Sequence, residues 1–269
     1  MAEIAVATFN VNSLKSRLPI VERFLTREDA PDIVCFQETK CQDADFPGDF
    51  FKDLGYKAVF RGMKSYNGVA VASRMEPDEA SFGFGDGEDL EQDFARLAVT
   101  RFGPLHIVNS YVPQGKDMQL PDFAYKLRFF ERIRRLFEDK FSPDDMLLWT
   151  GDLNVAPADI DVTHPENKRT HVCVCAEARM ALERAASWGL EDVFRKHRPD
   201  PGEFTFWDYR VKGALERNIG WRIDHLFATK PLAERSRGVR VARELRGMER
   251  PSDHTAVVGV FDCEGVGIA

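Results

Sequence analysis

Apolar and polar positions alternate in short, β-branched runs along almost the whole chain. The runs are IAVATFN at 4–10, DIVCFQE at 32–38, NGVAVASR at 67–74, LHIVNSYV at 105–112, MLLWTGDLN at 146–154, RIDHLFA at 222–228 and TAVVGVFD at 255–262. Their period and composition predict strands. Helical stripes lie between them. Phe123, Leu127, Phe130, Ile133, Phe137 and Phe141 recur at steps of three and four, which predicts a helix burying one face on a sheet. A second helix is expected from about Ser13 to Glu28, capped by Ser13, with Pro19 opening a separate turn because an interior proline removes a backbone hydrogen bond. A third is expected over 176–188. Several neighbouring strands are joined by turns too short for a helical crossover, so a purely parallel sheet is excluded. Two packed sheets with helices outside follow.

Composition adds bounds rather than detail. A chain of 269 residues with 43% hydrophobic content buries a large core. No linker-like stretch or repeat divides it, so a single domain over 1–269 is expected. The apolar runs are strand-sized, well short of the ~20 residues a membrane span needs. With no leader pattern at the start, the expectation is a soluble cytoplasmic protein without a membrane partner, acting as a monomer. The five cysteines form no disulfide framework, in keeping with a reducing compartment. The net charge of −7 counts against a polyanionic partner until its distribution is considered. Segment 195–250 carries fourteen Lys or Arg against eight Asp or Glu, whereas 76–93 holds eight acids and no base. A basic front and an acidic back suit docking on a nucleic acid, although surface charge also clusters without any ligand.

The chemistry lies in where polar residues fall relative to the strands. Asn10, Glu38, Tyr111, Asp152 and Asn154 stand at or just beyond C-terminal strand ends, Asp224 interrupts a strand, and Asp253 and His254 precede one. Loops at one sheet edge assemble such residues into a single cluster. Taken singly, each is an ordinary turn former. Together they supply hard carboxylate and amide oxygens without thiolates, a set that favours Mg²⁺, with Mn²⁺ as a substitute, over zinc. Glu38 is the best ligand among them. Asp253 and His254 are sequence neighbours that point apart, so Asp224, from another strand, is the expected orienting partner of His254. His171, Cys173 and Cys175 form an H-x-C-x-C, but no fourth zinc ligand lies nearby in the sequence. The helix over 121–141 displays Lys126, Arg128, Arg132, Arg134 and Arg135, read as a solvated charged face.

These residues sit in blocks that resemble a known family. TFNVNSL at 8–14, QETK at 37–40, YVPQG at 111–115, GDLNVAP at 151–157, FTFWDYR at 204–210, GWRIDHL at 220–226 and PSDH at 251–254 together resemble the exonuclease III type of apurinic/apyrimidinic endonuclease, within the endonuclease, exonuclease and phosphatase superfamily. The resemblance implies a DNase I-like four-layer sandwich, two packed mixed sheets flanked by helices, with one catalytic Mg²⁺ where the loops of the sheets meet. It implies that Glu38 binds the metal, that Asn10, Asn12 and Asp253 contribute ligands or hold its waters, and that Asp152 activates a water positioned by Asn154. Tyr111 and His254 would hold the scissile phosphate, with Asp224 behind the histidine. A tyrosinate at Tyr111 is the alternative proton acceptor to Asp152.

The same resemblance implies the substrate: duplex DNA with abasic sites or blocked 3′ ends, cut 5′ to the lesion, with 3′ to 5′ exonuclease and 3′-phosphatase action at the same centre, as base excision repair requires. Phe206, Trp221 and Ile223 match an apolar pocket for a flipped, base-free deoxyribose, and Gln114 and Arg210 would touch the DNA backbone. Trp207 should alternate away from Phe206 into the core. Inositol phosphatases, sphingomyelinases and general nucleases share the QET, GDLN and SDH blocks, so the 204–226 region carries the distinction. A DNA-binding module without activity would lack a catalytic residue, and none is missing. Two departures stand out: Thr255 and Ala256 follow SDH where a proline is common, and His225 replaces a usual apolar residue.

Overall fold

Strands buried on both faces explain the most continuous apolar runs. In the computed structural model, which describes residues 3–264, every position of β2 (Ile33–Gln37) and β4 (Val69–Ser73) is buried. The remaining strands are β1 (Glu3–Asn10), β3 (Lys57–Arg61), β5 (Glu79–Phe82), β6 (Leu97–Phe102), β7 (Leu105–Tyr111), β8 (Met146–Asp152), β9 (Leu190–Asp192), β10 (Asp224–Thr229), β11 (Ser236–Val241) and β12 (Val257–Asp262). The helices are α1 (Leu14–Leu25), α2 (Gly48–Asp53), α3 (Glu91–Phe94), α4 (Pro121–Lys140), α5 (Ala176–Ala186), α6 (Val193–His197), α7 (Lys230–Ala233) and α8 (Arg243–Arg246).

The strands form two six-stranded sheets, ordered β11-β12-β1-β2-β4-β3 and β5-β6-β7-β8-β10-β9. Each is mixed in the same way: β1 and β2, or β7 and β8, pair in parallel at the centre, and every other pairing is antiparallel. The sheets pack face to face through Ile4, Val6, Ile33, Ile107, Leu148, Leu226 and Phe261. Phe9, Phe24, Phe36 and Phe51 fill the layer where α1 and α2 cover the first sheet, and Phe130, Ile133, Phe137 and Trp149 fill the layer where α4 and α5 cover the second. The result is a four-layer α/β-β/α sandwich. No helix among the described residues is long and apolar enough to cross a membrane.

Four local expectations are corrected. Pro19 lies inside α1 and does not open a separate turn, and Ser13 makes no side-chain cap bond. Pro19 and Lys15, whose carbonyl loses its donor, both face solvent, so the missing bond is not buried. Asp224 begins its strand instead of interrupting it. The charged residues of α4 do not form one solvated face: Lys126 and Arg132 are buried. Arg132 is held by Asp86, Asp89 and Asp93 at 2.7–2.8 Å, so part of the acidic 76–93 segment neutralises an interior guanidinium.

Candidate active site

The parallel centres of the two sheets deliver the polar strand ends to one place. Asn10 ends β1 beside Gln37 of β2, and Tyr111 ends β7 beside Asp152, which also faces Asp224 across the antiparallel pair β8 and β10. Close approach is needed just before Asp152. A Cβ at Gly151 would lie 1.9 Å from the Ser110 carbonyl oxygen, and its φ of 135° suits glycine alone. Glu38, Asn12 and Asn154 adopt left-handed φ values of 52°, 43° and 52°. Asn tolerates that region, but at Glu38 it stores strain of about 1–2 kcal/mol, which the surrounding contacts offset.

Asn10 organises the carboxylates. Its Oδ1 accepts the Asn12 backbone N–H at 3.0 Å, which leaves the amide hydrogens to reach Glu38 Oε1 at 2.8 Å and Asp152 Oδ2 at 2.9 Å. Asn12 Nδ2 donates to Asp253 Oδ1 at 2.9 Å, and Lys40 Nζ bridges Asn12 Oδ1 at 2.6 Å and Glu38 Oε2 at 2.7 Å. Asp152 Oδ1 accepts the Asn154 N–H at 3.0 Å, while Asn154 Nδ2 donates to the Val112 carbonyl at 2.9 Å.

These surroundings drive the two acids apart. Burial alone would raise Glu38, but the Lys40 charge and the Asn10 amide outweigh it and hold the carboxyl below its usual range. Burial lifts Asp152 to about 7, helped by the charges of Asp224 and Glu38 and opposed by His254. A pair so separated leaves one carboxylate ionised while the other takes up a proton near neutral pH. Burial likewise disfavours charge on His254, yet Asp224 and Asp152 prevail and lift the ring to about 10. Its Nδ1 lies 2.9 Å from Asp224 Oδ2, and its Nε2 lies 3.7 Å from Asp152 Oδ2. Burial, then the Glu38 charge, pushes Tyr111 well above its ordinary value, so its hydroxyl stays protonated.

A cavity of about 400 Å³ opens over this cluster. All the predicted site residues line it except Asn10, Asn12 and Asp224, which hydrogen-bond to the lining residues Asp152, Asp253 and His254 respectively. Phe206 packs on His254 with ring centroids 4.9 Å apart and meets Trp221 edge-on at 6.3 Å. Ile223 joins Ala156, Val162 and Val174 in the apolar backing. Gln114 stands in the wall; Arg210 stands at the rim, ion-paired to Asp208 at 2.7 Å with its side chain 86% exposed. Trp207 is buried in a separate small core with Phe204 and Ala214, as its alternation with Phe206 requires.

Residues 7–254 match the Endonuclease/Exonuclease/phosphatase family. The chain belongs to that family. Within it, this member groups with the exonuclease III-type enzymes. It is 34% identical over 264 residues to Exodeoxyribonuclease III of Haemophilus influenzae, covering 94% of this chain and 98% of the relative. It is also similar to an AP endonuclease from Archaeoglobus fulgidus, at 43% identity and a TM-score of 0.92 over 96% of this chain and 99% of that one. A 3′ phosphatase, NExo, from Neisseria, solved with a product DNA hairpin, is 32% identical with a TM-score of 0.90 over 96% and 99% of the two chains.

A metal-dependent member of the family needs a seat for a hard cation, and the residues here fit one. Glu38, Asp152 and His254 place ligand atoms within 4.8 Å of one another, the one such acidic or histidine group among the described residues. His254 is the least suited of the three, because it is cationic and tied to Asp224. The oxygens of Glu38, Asn12 and Asp253 already gather around the Lys40 ammonium or next to it, so the cluster favours positive charge.

Several residues that serve the family's cluster escaped the sequence reading. Lys126 Nζ donates to the carbonyls of Asn154 at 2.7 Å, Val172 at 2.6 Å and Gln114 at 3.1 Å, clamping three loops of the cleft. Arg96 lies over the Tyr111 ring, 4.7 Å from its centroid, and donates to its carbonyl at 3.1 Å. Lys40 was legible only as the last letter of QETK. His171 and Cys173, considered for zinc, line the cleft, with the His171 ring edge-on to Trp221 at 4.4 Å.

Proposed function

We propose that this enzyme is a Mg²⁺-dependent DNA repair phosphodiesterase that incises duplex DNA 5′ to abasic sites and, at the same centre, removes nucleotides and phosphate from 3′ ends. The observation that carries the reading is the division of labour between two neighbouring carboxylates, ionised Glu38 and proton-accepting Asp152, beside an apolar wall of Phe206, Trp221 and Ile223. Glu38, with Asp253 and Asn12 alongside, would hold a divalent ion, which would supply charge neutralisation at the phosphate; Mg²⁺ suits the all-oxygen set and Mn²⁺ would substitute.

The chain's own residues supply the rest. Asp152 takes a proton from the attacking water, whose oxygen bonds to phosphorus as the bond from phosphorus to the 3′-oxygen breaks. Asn10 and the Asn154 amide hold that carboxylate in place, so it meets the water in one orientation. His254, kept cationic by Asp224, donates from Nε2 to a phosphoryl oxygen, and the Tyr111 hydroxyl donates to another. The raised Tyr111 pKa favours Asp152 over a tyrosinate as the base. Phe206, Trp221 and Ile223 accept the base-free sugar, with Gln114 and Arg210 on the flanking backbone. All these groups come from one chain, which supports action as a monomer.

Purified protein with Mg²⁺ should cut a duplex carrying a tetrahydrofuran abasic analogue once, immediately 5′ to the lesion, and EDTA should abolish the cut. An intact duplex after prolonged incubation with excess enzyme would refute the assignment.

A further inference from the structure

Two fully buried polar side chains beside the cleft have no part in the chemistry above: Arg222, between the pocket residues Trp221 and Ile223, and His225, which follows Asp224. Each nitrogen of the Arg222 guanidinium has a partner. Nε donates to Asp161 at 2.6 Å, Nη2 to Asp192 at 2.8 Å, and Nη1 lies 3.1 Å from His225 Nδ1. A guanidinium only donates, so His225 Nδ1 is a bare acceptor. On the other side of the ring, Nε2 lies 2.8 Å from the Val155 carbonyl. A carbonyl only accepts, so Nε2 carries the proton. The contacts therefore fix one neutral tautomer, and burial and the adjacent Arg222 charge both disfavour protonation.

The bonds join two parts of the cleft. Val155 closes the loop that carries Asp152 and Asn154; Arg222 is the middle residue of the pocket wall and also anchors, through its N–H, the Asp161 carbonyl at 2.8 Å. Val162, next to Asp161, pairs with Trp221. An apolar side chain at 225 would leave an Arg222 donor and the Val155 carbonyl without this partner in a dry interior.

We propose that His225 is a positioning residue, its imidazole tying the pocket wall 221–223 to the loop 152–155 and so fixing the distance between the sugar pocket and the water-activating Asp152. This rests on the abasic-site reading above. A terminal nucleotide that still carries its base does not fill a base-free sugar pocket, so trimming of undamaged 3′ ends depends less on that distance.

Three proteins decide the matter: wild type, His225→Leu and His225→Gln, each assayed on an abasic duplex and for removal of undamaged 3′ nucleotides. His225→Leu should lower kcat for abasic incision about tenfold, as a displacement well under 1 Å is expected to do, with KM nearly unchanged and a much smaller loss in 3′ trimming. His225→Gln, whose amide donates to Val155 and accepts from Arg222, should keep the wild-type ratio of the two activities. Equal activity of His225→Leu and wild type overturns the proposal, as does a loss shared in proportion by both reactions. If His225→Leu does not fold, a folded His225→Gln that loses the ratio overturns it. In ¹⁵N NMR of the wild type, a cationic His225 or the opposite tautomer at pH 7 also overturns it, and the neutral Nε2–H form supports it. A wild type that trims 3′ ends but spares the abasic duplex overturns the function first and this inference with it.

Discussion

Two residues of nearly opposite environment make the site testable one side chain at a time. Asp152 is lifted toward neutrality because it is buried among acids, and its only strong hydrogen-bond donors are an amide and a backbone N–H. Asp152→Asn keeps the shape and removes the proton acceptor. Turnover on an abasic duplex should fall by roughly 10²–10⁴-fold, while DNA binding measured by fluorescence anisotropy stays within a few-fold of wild type. Near-normal turnover would remove Asp152 from the chemistry. His225 gives the matching test of stability. Burial, then the Arg222 charge, depresses its pKa from 6.5 to about 4. The unfolded chain therefore binds the proton more readily, and the contribution of neutral His225, complete above pH 6.5, is lost as pH falls toward 4. At pH 5 the loss amounts to about 2 kcal/mol, at roughly 1.4 kcal/mol per tenfold in proton activity. Unfolding free energies from urea titrations at pH 7 and pH 5 should differ in wild type by that much more than in His225→Gln. A difference independent of pH would show that the ring titrates normally.

At the scale of elements, what the sequence disclosed depended on whether an element carries a face that must be buried. The central strands announced themselves because β2 and β4 are buried throughout and β1, β7, β8 and β12 nearly so. The edge strands β3, β5, β9 and β11 and the shortest helices did not, since half-exposed runs of three to six residues impose no clear period; β6 is mostly buried, but Thr100 and Arg101 break its apolar run. The strand-end residues of the site were readable as motifs, and so was Asp224 as the partner of His254, but not the charged residues that brace the cleft from helices and neighbouring strands. Lys126 and Arg132 look like solvated charges when α4 is read alone, and only the loops and acids packed on that helix reveal them as buried. Lys126 is the more consequential. Its ammonium holds three carbonyls of the cleft loops, and Lys126→Met removes all three bonds while keeping most of the volume. The variant should lose about 1–3 kcal/mol of stability, and kcat on an abasic duplex should fall about tenfold or more as the Asn154 loop relaxes. Full kcat in a destabilised variant would mean that the lysine supports the fold without setting the site.

At the scale of the molecule, the active centre is a property of the contact between sheets. Asn10 and Glu38 lie on or just beyond strands of the first sheet, and Tyr111, Asp152 and Asp224 on strands of the second, so neither sheet holds a working set alone. Just beneath them the largely apolar interface carries a buried polar tie. Gln37 Nε2 of β2 donates to Asn109 Oδ1 of β7 at 2.8 Å, and Asn109 Nδ2 returns to the Phe36 and Ala70 carbonyls at 3.1 Å. Apolar contacts carry no fixed direction, whereas these bonds form at one offset only, next to the strand ends that carry Asn10, Glu38 and Asp152. Asn109→Leu is close in volume and leaves Gln37 without one of its partners. It should cost about 1–3 kcal/mol and lower kcat, with KM for DNA little altered, because the docking face is intact while the two halves of the site lose their register. Activity, near-ultraviolet and far-ultraviolet signals should disappear in one urea transition in wild type and variant alike, since a core running from Ile4 to Cys263 is shared by both sheets. Separate transitions for the two sheets would show that the chain is not one folding unit. A variant with a lowered midpoint but unchanged kcat would show that hydrophobic packing alone sets the alignment of Asp152 and Glu38.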